Sequence, residues 1–213
     1  HIYVGLHTAT LSLVIPSVGK QRTHRSAPNC NPAFLPQSKV LLKSLVGTCL
    51  ELSPEGDCFY DSHGSIGGWD VSNVADMSRI FSHANSFNGD LSKWDVSSVI
   101  DMDTMFYDAS AFGSDLSEWD VSNVVYMGNM FGATDFNSDI SKWDVSSVED
   151  MNSMFYWASS FNIDISHWDV SSVETMDSMF DGAVSFEQNL CGRAWVHSRA
   201  SKQDMFTGAL YVR

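Results

Sequence analysis

Five aspartates recur at nearly fixed intervals: Asp70, Asp95, Asp120, Asp144 and Asp169, spaced 25, 25, 24 and 25 residues apart. Each follows a tryptophan in the string Trp-Asp-Val-Ser, at Trp69, Trp94, Trp119, Trp143 and Trp168. If equivalent residues of successive repeats stack as parallel strands, these carboxylates stand about 4.8 Å apart. Like charges that close repel by on the order of a kcal/mol per pair, so something must offset them. Hydrogen bonds from neighbouring serine hydroxyls and backbone N–H groups are one answer. A row of bound calcium ions, which take several oxygen ligands, is a second. A basic protein partner, met by Asp95, Asp120 and Asp144, is the third. A further series, Asp90, Asp115, Asp139 and Asp164, falls in expected turns and suits turn capping. Asn189 takes that place in the fifth unit, so a charge is not essential there.

Aromatic residues add a second kind of contact chemistry. Tyr107, Tyr126, Tyr156 and Trp157 occupy variable positions off the main apolar pattern. Such rings either anchor a protein partner or cover the neighbouring repeat. Catalytic chemistry has little to build on. Only His83 and His167 of the seven histidines fall inside the regular units, and at different repeat positions. The abundant serines recur at cap and turn positions rather than beside a His–Asp pair. No Gly-x-x-x-x-Gly-Lys string is present for a nucleotide. The expectation is therefore a chain that is not an enzyme and carries no cofactor, calcium being the one metal considered.

A period this regular implies one unit stacked on copies of itself. Within a unit, Ile140, Trp143 and Val145 follow Leu-x-x-Leu-x-Leu spacing, with Asp144 pointing outward from a short strand. Val148, Met151, Met154, Phe155 and Ala158 then step by three and four, which predicts a helical face. Ser146 with Glu149, and Ser171 with Glu174, fit capping boxes that would start those helices. Stacking would bury Trp, Val, Met and Phe as internal ladders, at about 1.5–3 kcal/mol per large side chain. The third repeat is one residue short, with Phe131-Gly-Ala133 in place of Phe-x-x-Ala.

Four segments follow: an extended basic arm over 1–37, a helical cap over 38–68, five repeats over 69–192, and a degenerate sixth repeat or C-terminal cap over 193–213. The arm carries Pro16, Pro28, Pro32 and Pro36, with a possible strand at 11–15. From Ser38, Leu41, Leu42, Leu45, Val46, Cys49 and Leu50 share one helical face. Cys49 and Cys58 bracket a Pro- and Gly-containing turn, and a local disulfide between them is the first choice among three possible pairings of the four cysteines.

The repeat Trp-Asp-Val-Ser-x-Val-x-x-Met-x-x-Met-Phe-x-x-Ala-x-x-Phe-Asn-x-Asp-Ile-Ser resembles the BspA-type leucine-rich repeats. More narrowly, it is similar to the 25-residue surface-protein repeat first described in Mycoplasma and abundant in microalgae. The likeness covers residues 69–192. It implies an α/β solenoid, leucine-rich-repeat-like, with short parallel β-strands, short helices on the opposite face and capped ends. It also implies surface display, adhesion or protein–protein contact, and it brings no catalytic residues.

Charge separates the arm from the body. Residues 1–50 hold five Lys and Arg and no acid, whereas 51–213 hold seven against all 26 acids, a balance of −19. An acidic body argues against nucleic acid, which needs a clustered basic face. No apolar run approaches the roughly 18 residues of a membrane span. The expectation is a secreted or cell-surface module with a protein partner. The alternative is an architectural subunit of a larger, organellar or membrane-associated assembly, docked through arm residues such as Arg22 and Arg25.

Overall fold

The structure is a computed structural model that describes residues 35–58 and 63–209; the arm residues Arg22 and Arg25, Cys30 and the expected strand at 11–15 lie outside the described residues. Helix α1, Lys39–Leu52, begins where the sequence turns helical, and the Ser38 hydroxyl caps it by accepting from the Leu41 N–H. Leu42, Val46 and Cys49 are its buried residues. Cys49 and Cys58 are joined in a disulfide that ties the end of the helix to the turn after it, with Cα atoms 5.3 Å apart. A 3-10 turn, Ile66–Gly68, leads into the first repeat.

The expected α/β solenoid of parallel strands and helices is not what the repeats form. Among the described residues there is no sheet and no helix between the 3-10 turn and a short helix α2, Arg193–His197. Five isolated parallel bridges run Asp76 to Asp101, Tyr126, Asp150, Thr175 and Ser201, one residue per repeat. In the first five of these positions the bridging residue precedes the first methionine of its repeat, inside the segment where the 3-and-4 spacing predicts a helix; Ser201 precedes Lys202.

Turn chemistry explains the difference. In each repeat Met-x-x-Met (or Ile) closes as a four-residue turn, and in all but the third Phe-x-x-Ala closes a second one directly behind it; in the second repeat Met105 N–H donates to Met102 O and Ala109 N–H to Phe106 O. The third residue of each turn has positive φ, as at Thr104 (59°) and Asp108 (57°), and Ser153 (53°) and Trp157 (54°) in the fourth. That is the type II pattern. Left-handed residues four apart cannot belong to a right-handed helix, nor can they lie in an extended strand. The spacing i, i+3, i+4, i+7 is produced equally well by these two turns.

Alternate backbone N–H groups of one turn pair donate to the next. Met102, Thr104, Phe106 and Asp108 give to Tyr126, Gly128, Met130 and Gly132 carbonyls at 2.7–3.0 Å. We call each such segment a rung; the six rungs are residues 76–84, 101–109, 126–134, 150–158, 175–183 and 201–209. The same four-bond pattern crosses all five interfaces between them. Below the rungs, the Trp-Asp-Val segments are held without strand pairing. Trp143 Nε1 donates to Leu116 O at 3.0 Å and Trp168 Nε1 to Ile140 O at 3.2 Å, each reaching the preceding repeat. Trp195 of α2 extends the same column to Ile165 O.

The capping boxes fail for a related reason. The Ser146 hydroxyl is turned back to donate to Asp144, two residues earlier, so it caps no helix. Inside, one Phe per rung stacks on the next: Phe81, Phe106, Phe131, Phe155, Phe180 and Phe206 have centroids 5.4–5.9 Å apart. Each of the first five also lies on a second Phe of its own repeat, as Phe106 does on Phe112 at 3.9 Å. Trp, Val and Met complete the core as expected.

The missing residue of the third repeat falls after Thr134, not before Ala133. Thr134 takes the buried Ala position, its hydroxyl donating to Phe131 O and accepting from Phe136 N–H. The side chain thus replaces the backbone turn that Ala109 and Phe112 make in the second repeat.

Candidate functional site

Two sets of acids share each repeat and have opposite surroundings. Beside the tryptophans, Asp70, Asp95, Asp120 and Asp144 each accept the N–H and hydroxyl of the serine two residues on, with hydroxyl distances of 2.6–2.7 Å. Asp169 accepts the Ser171 N–H. The turn series Asp90, Asp115, Asp139 and Asp164 repeats the arrangement with Ser92, Ser117, Ser141 and Ser166. These serine hydrogen bonds hold Asp70, Asp144 and all four turn carboxyls below the usual carboxylate range. Hydrogen bonding within each turn is therefore what offsets their charge. Among the described residues, no three of His, Cys, Asp and Glu are grouped so that they could hold a metal ion.

The second set, which the sequence reading passed over, lies on the rungs. Asp76, Asp101 and Asp150 occupy the bridging column, where the other rungs carry Tyr126, Thr175 and Ser201. Two residues on come Ser78, Asp103, Gly128, Asn152, Asp177 and Gln203. The readable signal was the dipeptide Asp-Met at Asp76, Asp101 and Asp150, which also occurs at Asp204 outside the bridging column. Burial pushes the carboxyl of Asp101 up, against one N–H from Asp103, and the charges of Asp76 and Asp103 add to it. Burial also raises Asp150, with Asp103 contributing.

Among the described residues, Asp76 is the one of these three acids in an ion pair. Lys39 of α1 reaches its two oxygens at 2.9 and 3.0 Å and donates to the Ser78 hydroxyl as well. Burial alone would raise Asp76, but Lys39 and the Ser78 N–H and hydroxyl outweigh it and hold the carboxyl below its ordinary range. The neighbouring Lys43 donates to Arg79 O, and burial, then Lys39 and Arg79, lowers its own pKa. A groove of about 410 Å³ separates α1 from the first rung, floored by Val46, Leu50, Pro54, Ile80 and Ala84.

All four aromatic candidates sit on rungs. Tyr107 is half-buried against Gly132 of the next rung, a β-carbon there meeting its ring at 2.9 Å. Trp157, 61% exposed, lies over Gly182 in the same way. Tyr156 is half-buried and edge-on to Trp157 at 6.3 Å. Tyr126 stands in the bridging column, 44% exposed. The rungs therefore gather the aromatic candidates with the unexpected acids, while Asp95, Asp120 and Asp144 stay in their serine-held column.

Fold and surface together define a protein of stacked, turn-built repeats with a recurring apolar interior and variable outward positions on the rungs. The family described as Mycoplasma protein of unknown function, DUF285, matches residues 57–139 and 132–212, and the chain belongs to it. No curated protein and no solved structure matches the chain.

Proposed function

We propose that the chain is a non-enzymatic protein-interaction or adhesion module, secreted or held at a cell surface, that meets its partner through the rungs. One observation carries this reading: what repeats in every unit is spent on the core or on its own turn, and what varies is displayed. The bridging column runs Asp, Asp, Tyr, Asp, Thr, Ser without disturbing the ladder beneath it. A rigid backbone presenting variable charge and aromatic groups lowers the ordering cost of binding. The Cys49–Cys58 disulfide fits an oxidising compartment, and the absence among described residues of a helix able to cross a membrane leaves association to surface contact or to other segments.

The alternative, a subunit of a larger, possibly membrane-associated assembly docked by its basic arm, is favoured by the acid-free composition of residues 1–50. Cross-linking of the full chain in its native source, followed by peptide mapping, separates the two. The interaction reading expects cross-links to another protein from rung peptides spanning 101–158. Cross-links confined to residues 1–34, within a complex of fixed mass, would replace it with the assembly reading.

A further inference from the structure

The rungs have a direction. The four bonds that join one rung to the next all run the same way, from N–H groups of the earlier rung to carbonyls of the later. The carbonyls of Met102, Thr104 and Phe106 are turned into their own rung, where they accept from Met105, Tyr107 and Ala109 N–H. One edge of a rung is therefore N–H groups and the other is carbonyls, whereas a β-strand shows both along each edge. Peptide dipoles of about 3.5 D each point the same way through the stack, as they do along a helix.

This ladder ends unsatisfied. Met176, Ser178, Phe180 and Gly182 give to the Ser201, Gln203, Met205 and Thr207 carbonyls at 2.8 Å. The corresponding N–H groups of the sixth rung, on Lys202, Asp204, Phe206 and Gly208, have no acceptor among the described residues. Lys202, Asp204 and Gly208 are exposed. Phe206 stacks on Phe180 at 5.5 Å but is only half-buried, whereas the stacked Phe of each earlier rung is buried. Charge reverses at the same end. Residues 193–209 carry Arg193, Arg199 and Lys202 against Asp204 alone, in a body dominated by acid. Arg193 belongs to α2, whose Trp195 continues the tryptophan column into this last layer. Unused N–H groups are the positive end of their dipoles, and acids ease such an end where it faces water. Bases stand here instead, so the edge and the side chains both call for an anionic partner.

We propose that the sixth rung is a docking edge that takes an acidic segment of another polypeptide as a seventh rung. Carbonyls of that segment accept from Lys202, Asp204, Phe206 and Gly208, an apolar ring covers the open face of Phe206, and carboxylates meet Arg199 and Lys202. A concave row of backbone N–H groups in turn conformation suits such acceptors. A regular β-strand does not fit, because half of its edge groups would set donors against donors. Nor does a second copy of this chain. Its inner rungs have their carbonyls taken, and α1 lies against its first, with Lys39 and Lys43 holding Asp76, Ser78 and the Arg79 carbonyl. The partner segment must share the turn-pair conformation of the rungs, and the repeats show a sequence that adopts it, Asp-Met-x-x-Met-Phe-x-x-Ala at 150–158. This edge is distinct from the variable side-chain face proposed above.

The test uses the full chain and a fluorescent peptide copying residues 147–160, blocked at both ends and read by anisotropy at low salt. Binding is expected, and a scrambled peptide of the same composition should not bind. Arg199→Glu with Lys202→Glu should weaken binding about tenfold or more. Amide exchange followed by NMR on the wild type reads the edge directly. The Lys202, Asp204, Phe206 and Gly208 amides should exchange fast alone and slow about tenfold or more with the peptide, while those of Met176, Ser178, Phe180 and Gly182 are protected throughout. Equal binding by the scrambled peptide would reduce the attraction to charge and overturn the edge. Failure of the ordered peptide to bind overturns it too, as does protection of the four sixth-rung amides before any peptide is added.

Discussion

The aspartate after each tryptophan and the aspartate before the methionine belong to one repeat, yet they contrast in every physical respect. Asp144 is exposed, holds a serine N–H and hydroxyl through one oxygen, and ionises easily. Asp150, six residues later, is half-buried and made reluctant to ionise by that burial and by Asp103. The first kind of acid belongs to the turn that contains it. The second is tolerated at a cost, and costs of this kind cluster where a protein meets something else. Frequency of repetition is thus a poor guide to which acids are available for binding.

The contrast can be broken at its foundation. Trp143→Ala removes a core ring and leaves Leu116 O without its indole donor, and should cost about 3–5 kcal/mol in denaturant unfolding. Both acid sets should then lose their geometry together, because the tryptophan column and the rungs share one core. A smaller effect is expected at Gly182, whose φ of +75° is left-handed and whose β-carbon would meet the Trp157 ring at 2.9 Å. Gly182→Ala should destabilise by about 1–2 kcal/mol and displace Trp157, read as a shift in tryptophan fluorescence, while leaving the serine-held row untouched.

Paired single variants sharpen the comparison directly. Asp144→Ala deletes the serine turn and should lower stability by about 0.5–1 kcal/mol, whereas Asp150→Asn keeps the Asn152 hydrogen bond, relieves repulsion, and should raise the melting temperature slightly. Opposite signs support the distinction; equal losses would erase it. The smallest expected effect is in the pH profile. A raised carboxyl costs stability while ionised, so Asp101 and Asp150 should return stability as pH falls through their folded values toward the ordinary 3.8. The serine-held carboxyls act the other way: their contribution is present above 3.8 and is lost as pH falls further, through their lowered folded values. Thermal melts should therefore show a shallow maximum in mild acid, and Asp101→Asn with Asp150→Asn should remove the rise and leave the fall.

Particular residues show why some of this was readable in advance. The inward Trp and Val, the Met and Phe ladders, the helix after Ser38 and the Cys49–Cys58 link follow from hydrophobic spacing and local turn composition, signals that burial enforces. The rungs were misread because their apolar spacing is shared by an amphipathic helix, and because left-handed residues usually declare themselves as glycine. Here only Gly182 and Gly208 do so; Arg79, Thr104, Asn129, Ser153, Ser178 and Asp204 take positive φ with ordinary side chains. Hydrogen bonds between rungs hold those residues in a conformation their own preference disfavours.

The ladder also carries a mechanical consequence. Its hydrogen bonds run from rung to rung, parallel to the direction in which the repeats pile up. A pull along that direction loads the four bonds of one interface at a time and does not shear several together. Stretched by its ends, the array should yield in steps, each freeing one 25-residue repeat, or roughly 80 Å of extended chain. A tether built this way lengthens under tension by whole units and keeps the units not yet opened fully folded.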